Sequence, residues 1–526
     1  MTPRQRVAVV TGGAGGIGGS IAVALGRGGW YVVTVDPLVT LEGTEQLPES
    51  EDSTAARIVA AGGSARASNA SVTDGEAVRA LFQELAAEHG GLDVVVNVAG
   101  ITRQSYFARG TEEDWVALLN VHLYGYLNVL DAALPLMAEA GHGRILGVTS
   151  GSGWRAADAG GYSAAKRAVA ALTWQLGRVA PPGVTVNALS PIANTRMVAA
   201  ALERARAEGR ASGGGGLSLD AIPGPENLGP LAAYLVSDEA GWCSGQVFFA
   251  GGSEVAVVDQ PRLVEVARTE DDRSLAGVLE AVVPSAFVAA ESNQATQGGA
   301  NPRFGSIFDT PAPAELAAGD VRNCAIVSER GDVTAAVRSA LEARSIACHP
   351  VTSARNFNGA ARALRAAVDA TAKNATAVGA DAAAPPEPMD AVVVVLAGHS
   401  APGSVADAPT DWQGVLADHH GLVANLQADA AWTRAAADYA AQADRPVRIV
   451  TITDATTPGG RSRAQSSAQI ARVAAGTTDG RVTALAVSME SAHPNAAEQS
   501  AELVGHLLGH PESGAALAGA ELVVGT

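Results

Sequence analysis

A strand–turn–helix segment near the N-terminus constrains the fold more than any other feature. The apolar run from Val7 to Val10 leads into a glycine-dense turn with Gly12, Gly16 and Gly18, and a helical pattern follows. A buried β-branched run flanked by glycine and followed by a helix is typical of a parallel βαβ unit. We therefore predict an α/β fold, built as two Rossmann-like, doubly wound parallel-sheet domains in tandem.

The same turn predicts a dinucleotide site, although glycine-rich turns also occur as ordinary connections between a strand and a helix. Glycines allow the backbone to approach a pyrophosphate, and the N-terminus of the helix offers free N–H groups. The next strand ends at Asp36, whose carboxylate can hydrogen-bond the adenosine ribose and would repel a 2′-phosphate. A capping role is the alternative for Asp36. With no Arg or Lys in the turn, the pattern favours NAD(H) over NADP(H).

A tyrosine and a lysine in "GYSAAKRAV" form a second candidate site. Tyr162 and Lys166 are four residues apart, so they share one face of a helix. A fixed ammonium near a phenol stabilises the phenolate and lowers its pKa, which suits acid–base catalysis. Such pairs are more often ordinary exposed helix neighbours, so this pattern needs the support of other motifs.

That support comes from motifs that occur in one order along the first half of the chain. They are "TGGAGGIG", "NVAG", "LLNVHLYG", "VTS", "YSAAK", "VNALSP" and the closing "SGQVFFAGG". Together they resemble the short-chain dehydrogenase/reductase family over roughly residues 5–255. The resemblance implies an NAD-dependent oxidoreductase that interconverts a secondary alcohol and a ketone.

The resemblance also implies a catalytic set. Tyr162 is expected to be the general acid–base, and Ser150 to hydrogen-bond the substrate oxygen. Lys166 is expected to lower the pKa of the tyrosine and hold the nicotinamide ribose, and Asn120 to hold a water through its backbone. Ser150 lies one residue closer to Tyr162 than is commonest in the family, so Thr149 remains an alternative.

The cofactor contacts implied by the resemblance follow the strand ends. Ser71 replaces an adenine-contacting Asp of many members, and "SPI" replaces "SPG", but neither change removes a reacting group. The expected cofactor-binding residues are Gly12, Gly15, Gly16, Ile17, Gly18, Asp36, Val72, Asn97, Ala99, Gly100, Tyr162, Lys166, Pro191, Ile192 and Thr195.

Substrate identity is less constrained. The Ala-rich stretch and glycine run after Thr195 predict a lid, and Trp154 and Met197 are the expected substrate contacts, although Trp154 could equally be a core residue. The insert after Asp36 is similar to that of hydroxyacyl-CoA dehydrogenase units in multifunctional β-oxidation enzymes. We therefore expect a small, largely apolar substrate, either a 3-hydroxyacyl thioester or a steroid-like alcohol.

The second half repeats the frame of the first with altered chemistry. Duplication of the first half with loss of its function explains this better than the strand–helix alternation that any two doubly wound domains share. The reason is that Asp411 and Trp412 match Asp114 and Trp115, which the alternation alone does not require. In the second half, Glu329, Val333 and Ala335 align with Gly12, Gly16 and Gly18. The residues that align with Asn120, Ser150, Tyr162 and Lys166 are Ala417, Asp454, Gln465 and Gln469.

The predicted domains are a catalytic domain over 1–260, a helix and linker over 261–319, and a degenerate domain over 320–526. Residues 369–390 are expected to form an exposed loop within the degenerate domain. We expect an intrachain pseudo-dimer of the two halves and a homodimer of chains. A dinucleotide-bound scaffold that assembles through its second half is the alternative function.

Composition excludes several classes of partner. The net charge of −18 argues against nucleic acid and anionic membranes. Three cysteines lack metal-ligand spacing, so no metal site is predicted. Because no signal peptide and no bilayer-length apolar run are evident, a cytoplasmic location is expected.

Overall fold

The computed structural model describes the chain at residues 4–103, 107–154, 159–207, 222–252, 254–258, 260, 320–377, 388–398, 409–490, 495–509 and 517–524. The chain forms two compact units. The first unit contains residues 1–259, 398–427 and 457–473, and the second contains 260–397, 428–456 and 474–526. The predicted linker over 261–319 and the glycine run of the predicted lid, within 208–221, lie outside the described residues.

The first unit is built on an eight-stranded sheet in the order β3-β2-β1-β4-β5-β6-β7-β8. Seven strands run parallel, and β8 pairs with β7 in the antiparallel direction. The strands are β1 (Val7–Thr11), β2 (Tyr31–Val35), β3 (Ser64–Ser68), β4 (Val94–Asn97), β5 (Gly143–Val148), β6 (Val184–Pro191), β7 (Val247–Gly251) and β8 (Glu254–Val258).

Helices follow the strands of the first half in alternation. They are α1 (Gly16–Arg27), α2 (Thr54–Ala60), α3 (Gly75–His89), α4 (Glu112–Leu119), α5 (Gly125–Ala140), α6 (Gly160–Val179), α7 (Arg196–Ala207) and α8 (Gly229–Leu235). A π-helical turn, Asn120–Tyr124, joins α4 to α5. A capping box between Thr111 and Asp114 starts α4, because each side chain bonds the backbone N–H of the other.

The central strands of this sheet are buried along their length. Every residue of β1, β4 and β5 is buried, as expected for parallel strands with helices on both faces. The strand order reverses between β1 and β4, and in such sheets the ligand crevice lies at the carboxyl ends of the strands beside that point. The fold therefore places the loops after β1, β4, β5 and β6 around one crevice.

The second unit has a six-stranded, all-parallel sheet in the order β10-β9-β11-β12-β13-β14. Its strands are β9 (Asn323–Ser328), β10 (Ala347–Val351), β11 (Ala391–Val395), β12 (Val447–Asp454), β13 (Val482–Met489) and β14 (Glu521–Val524). The helices of the second half are α9 (Gly331–Glu342), α10 (Phe357–Ala377), α11 (Trp412–His419), α12 (Leu422–Ala443), α13 (Pro458–Thr477) and α14 (Ala496–Gly509).

Two Rossmann-like sheets in one chain confirm the predicted fold class. The order of the second sheet matches that of the first, except that β3 and β8 have no counterparts among the described residues. Of the second-half helices, α11, residues 422–427 of α12 and residues 458–473 of α13 belong to the first unit. Within the described residues, no helix combines the length and the apolar character needed to cross a bilayer.

The prediction of a loop over 369–390 is wrong for its first part. Helix α10 continues to Ala377, because the segment is rich in alanine and has no proline or glycine between Gly359 and Gly379. Residues 378–387 lie outside the described residues.

Candidate active site

The glycine turn after β1 is tightly packed on one side and open on the other. Gly12 and Gly16 have φ of +65° and +54°, a region that favours glycine. A Cβ at Gly12 would lie 2.9 Å from the nitrogen of Ala99, and one at Gly18 would lie 2.2 Å from the oxygen of Gly12. At Gly15 an added Cβ meets nothing within 4 Å. The open space at the N-terminus of α1 therefore fits a phosphate group.

A threonine that the sequence analysis missed holds the "NVAG" loop beside this turn. The hydroxyl of Thr11 donates to Oδ1 of Asn97 at 2.7 Å and accepts the N–H groups of Val98 and Ala99, each at 3.2 Å. Thr11 is buried, and its polar side chain ends an otherwise apolar strand. That break in the apolar run was the available signal. Through Thr11, two of the predicted cofactor-binding segments form one rigid edge.

Asp36 follows β2 directly and is partly buried. Its Oδ1 accepts the N–H of Leu38 at 2.9 Å, so one carboxylate oxygen orders the loop after the strand. Asp36 thus has the local capping contact that the sequence left open as its alternative role, and it stays at the carboxyl edge of the sheet.

Val72, another predicted cofactor contact, is buried, and its carbonyl accepts the side-chain amide of Asn128 at 2.8 Å.

The segment after β6 reaches the glycine turn from the other side. A Cβ built on Gly16 would lie 3.7 Å from Cγ2 of Thr195. The hydroxyl of Thr195 accepts the N–H of Val198 at 3.2 Å and so begins α7. The N–H of Ile192, next to Pro191, bonds the carbonyl of Ala250 at 2.8 Å. The tertiary structure therefore brings Thr195 and Gly16 together. Gly100 is exposed, and Ile17 packs against a small apolar cluster.

Tyr162 and Lys166 lie near the start of α6. The ammonium of Lys166 is 5.6 Å from the centroid of the Tyr162 ring, and it donates to the carbonyl of Val148 at 2.7 Å. Lys166 is only 4 % exposed, and this burial lowers its pKa to about 7. Burial raises the pKa of Tyr162, and the Ser150 side chain offsets only part of that rise, so the predicted lowering of this pKa is not seen. The phenol, the serine and the amine are thus held together.

Two hydroxyls follow β5, and they have different surroundings. Thr149 is 1 % exposed, and its hydroxyl donates to the carbonyl of Lys166 at 2.5 Å. Ser150 is partly exposed, and its hydroxyl donates to the hydroxyl of Ser152 at 3.4 Å and lies near the Tyr162 phenol. Ser150 is therefore the better placed of the two to reach a substrate, and Thr149 supports the backbone of α6.

Asn120 begins the π-helical turn between α4 and α5. Its carbonyl accepts the N–H of Gly125, five residues on, which widens the helix at this point. A carbonyl oxygen has two lone pairs, so this bond leaves one acceptor position. The expected role of Asn120 as a water holder remains a prediction.

His122, also on this turn, is a second residue that the sequence analysis missed. Its Nε2 is 2.8 Å from the carbonyl oxygen of Ile101, and a Cβ at Gly100 would lie 2.5 Å from its ring. Burial lowers the pKa of His122 to about 3, so the ring is neutral at physiological pH. The histidine in "LLNVHLYG" was visible in the sequence, but nothing local indicated its partner.

The two predicted substrate contacts are in different positions. Trp154 is partly buried and packs against an apolar cluster that includes Ala170 and Trp174, which agrees with its alternative role as a core residue. Met197 lies in the first turn of α7 and is partly exposed. Both substrate contacts remain predictions.

Comparison with known proteins decides the family. A sequence profile for short chain dehydrogenases matches residues 6–206. Nodulation protein G of Azospirillum brasilense is 33% identical over 251 residues, which are 47% of this chain and 97% of that protein. The chain belongs to the short-chain dehydrogenase/reductase family. The predicted resemblance is confirmed, and with it an oxidoreductase that acts on alcohol or ketone groups and binds a nicotinamide dinucleotide.

Two other members of the short-chain dehydrogenase/reductase family carry more specific names. Acetoacetyl-CoA reductase of Cupriavidus necator is 32% identical, covering 47% of this chain and 97% of that protein. Hydroxyacyl-CoA dehydrogenase ChsB1 of Mycobacterium tuberculosis is 32% identical, covering 49% of this chain and 81% of that protein.

In the second unit, charged side chains occupy the edge that holds the short-chain dehydrogenase/reductase motifs in the first. The carboxylate of Glu329 bonds the guanidinium of Arg355 at 2.5 Å and the N–H of Ala397 at 3.1 Å. Asp454, at the position of Ser150, pairs with Arg330 at 3.0 Å. Val333, at the position of Gly16, is fully buried in the core.

Proposed function

We propose that the protein is an NAD(H)-dependent oxidoreductase that interconverts a secondary alcohol and a ketone on a 3-hydroxyacyl thioester or a steroid-like substrate. The observation that carries the proposal is the cluster of Tyr162, Ser150 and Lys166 at the carboxyl end of β5. The acyl-CoA names of two relatives support the thioester as the first candidate substrate.

Each side chain of the cluster has a defined part in the proposed reaction. The bound dinucleotide supplies or accepts the hydride at the substrate carbon. In the reductive direction, Tyr162 gives its hydroxyl proton to the ketone oxygen, and the ketone becomes an alcohol. Ser150 donates a hydrogen bond to that oxygen and stabilises its developing charge. Lys166 stabilises the tyrosinate, and the free lone pair of the Asn120 carbonyl is available for a water that returns the proton.

Two residues favour different dinucleotides. Asp36 at the end of β2 favours NAD(H), because a carboxylate there repels a 2′-phosphate. Arg57 favours NADP(H) as the second candidate. Its guanidinium donates to the hydroxyl of Thr54 at 3.1 Å, and that hydroxyl donates to the carbonyl of Ala14 in the glycine turn at 3.0 Å. We propose NAD(H), because Asp36 follows the strand directly, whereas Arg57 reaches the turn only through Thr54.

The proposed role of the second half is structural. Glu329, bonded to Arg355 and Ala397, puts a carboxylate at the edge where a pyrophosphate would approach, and this supports the loss of dinucleotide binding. We propose an intrachain pseudo-dimer of the two halves and a homodimer of chains. A dinucleotide-bound scaffold without turnover is the competing function.

The experiment is a turnover assay on the full chain. Acetoacetyl-CoA is reduced with NADH or NADPH, and the loss of the reduced nicotinamide is followed, with Tyr162→Phe as the inactive control. NADH titration by fluorescence gives the number of sites. Turnover with NADH and one site per chain is expected. Binding without turnover on any hydroxyacyl-CoA or steroid ketone favours the scaffold, and two sites per chain contradict the proposal for the second half.

A further inference from the structure

Helix α13 of the second half contacts the catalytic helix of the first. Residues 457–473 lie in the same compact unit as α6, which carries Tyr162 and Lys166. The side-chain amide of Gln175 on α6 donates to the carbonyl of Pro458 and to the hydroxyl of Ser462, both at 2.8 Å. Ser462 is fully buried and also contacts Nε2 of His419 at 2.8 Å. The first turn of α13 is therefore bound firmly to α6.

Further along α13, Gln469 reaches the loop that carries Ser150. Its Nε2 donates to the carbonyl of Ser152 at 2.9 Å, and its Oε1 accepts a bond from Arg472 at 2.8 Å. The two bonds together define which end of the amide faces Ser152. Gln469 is 1 % exposed, so the donation to Ser152 is shielded from water.

Ser152 in turn holds Ser150. The N–H of Ser152 donates to the hydroxyl oxygen of Ser150 at 3.3 Å, and the N–H of Gly153 donates to its carbonyl at 2.9 Å. A Cβ at Gly153 would lie 3.0 Å from the nitrogen of Arg167, so this short 3-10 turn also packs closely on α6. The carbonyl and the N–H of Ser152 thus connect the amide of Gln469 to the hydroxyl of Ser150, which lies near Tyr162.

We propose that Gln469 is a positioning residue for the active site of the first half, holding the Gly151–Gly153 turn so that the Ser150 hydroxyl keeps its place near Tyr162. This inference rests on the proposed function only for its effect on turnover. Gln469 stands at the position that Lys166 has in the first half. A neutral amide there both donates and accepts, which a lysine cannot do. The second half therefore contributes a side chain to the order of the site and does not act only as a docking surface.

The first test is hydrogen–deuterium exchange on the full chain. In Gln469→Met, the amides of Ser152 and Gly153 are expected to exchange about tenfold faster or more, because the turn opens more often. Gln175→Met is the matched control, since it removes two bonds between α6 and α13 without touching the turn. Unchanged exchange at Ser152 and Gly153 in Gln469→Met, or the same change in Gln175→Met, overturns the proposal.

The second test is kinetic. Gln469→Met is expected to lower kcat on the order of tenfold with little change in NADH affinity, since a misplaced catalytic group slows chemistry without affecting dinucleotide binding. Of the described residues, Lys166 and His122 are the titratable groups that face the Tyr162 ring, and neither is altered. The acid limb of the pH profile for alcohol oxidation should therefore move to higher pH, because the Ser150 hydroxyl that lowers the pKa of Tyr162 is displaced.

A second variant and the wild-type chain distinguish a failure of the positioning role from a failure to fold and from a failure of the proposed function. Gln469→Glu has the same size and keeps the acceptor for Arg472 but loses the donor to Ser152, so it carries the same expectations if the methionine variant does not fold. If both variants fold with wild-type kcat and pH profile, the proposal is overturned. If the wild-type chain does not turn over any substrate, the proposed function fails, while the exchange measurement still decides the role of Gln469.

Discussion

The ring of His122 meets the ring of Tyr162 edge-on, with centroids 4.9 Å apart and 85° between the planes. His122 also contacts the carbonyl of Ile101 through Nε2. It therefore links the tyrosine on α6 to the loop after β4, where the cofactor is expected. A neutral histidine can do this at physiological pH without adding a charge beside Lys166.

Substituting His122 should separate its two contacts. His122→Phe keeps an aromatic edge against Tyr162 but removes the contact of Nε2 with the Ile101 backbone, so we expect a loss of about 1–2 kcal/mol in unfolding free energy and near-normal kcat. His122→Ala should lose about 2–4 kcal/mol and lower kcat. Urea unfolding and steady-state kinetics measure both. Equal kcat in the two variants would show that the ring contact does not orient Tyr162.

Tyr162→Phe should remove catalysis while leaving dinucleotide binding intact. Loss of a general acid–base typically costs about 10²–10⁴-fold in rate, and the phenyl ring keeps the packing against His122. Tyr234→Phe, at an exposed position on α8, is the control. Stopped-flow or steady-state assays with NADH give kcat, and fluorescence titration gives affinity. Retained activity in Tyr162→Phe would exclude this residue as the acid–base.

Lys166→Met should stabilise the fold at low and neutral pH. Burial lowers the folded-state pKa of Lys166 from 10.5 to about 7, so the charged form destabilises the folded protein. This penalty is complete below pH 7, shrinks as the pH rises from 7 to 10.5, and is absent above that range. We expect a gain of up to about 5 kcal/mol at pH 6 and none at pH 11. Urea unfolding at both pH values checks it, and a gain that does not depend on pH contradicts the assignment.

Two glycines of the turn should respond differently to alanine. Gly18→Ala places a Cβ 2.2 Å from the oxygen of Gly12, so backbone must move and we expect a loss of about 2 kcal/mol or more. Gly15→Ala adds a methyl to open space at an extended residue (φ −174°), so stability should change by less than about 1 kcal/mol while NADH affinity falls. Thermal unfolding and NADH titration distinguish the two. Unchanged NADH affinity in Gly15→Ala would show that the phosphates do not approach this residue.

Asp36→Ala should shift the preference between dinucleotides. Loss of the ribose contact is expected to weaken NADH binding by about tenfold, and loss of the carboxylate should improve NADPH binding. Arg57→Met is the companion variant, and it should weaken NADPH selectively if the guanidinium reaches the 2′-phosphate. Titrations of both variants with both dinucleotides measure the ratio. A ratio unchanged in Asp36→Ala would show that the carboxylate only orders the loop at Leu38.

Features set by neighbours along the chain could be predicted from the sequence. The glycine turn, the strand–helix alternation and the four-residue spacing of Tyr162 and Lys166 depend on local backbone geometry, and the order of the motifs indicated the family. The end of α10 was missed, although Gly379, two residues after Ala377, is a typical signal for the end of a helix.

Contacts between distant segments were decided by the tertiary structure alone. Thr11 bonds Asn97, His122 bonds Ile101, and Gln469 bonds Ser152 across 317 residues of chain. Each pair forms because strand order and helix packing bring two loops together, and no spacing along the chain encodes that geometry. The sequence by itself therefore determined the fold class, the family and the reacting groups. Which buried polar side chains orient those groups depended on the packing of the whole unit, because hydrogen bonds require particular atoms within about 3 Å of each other.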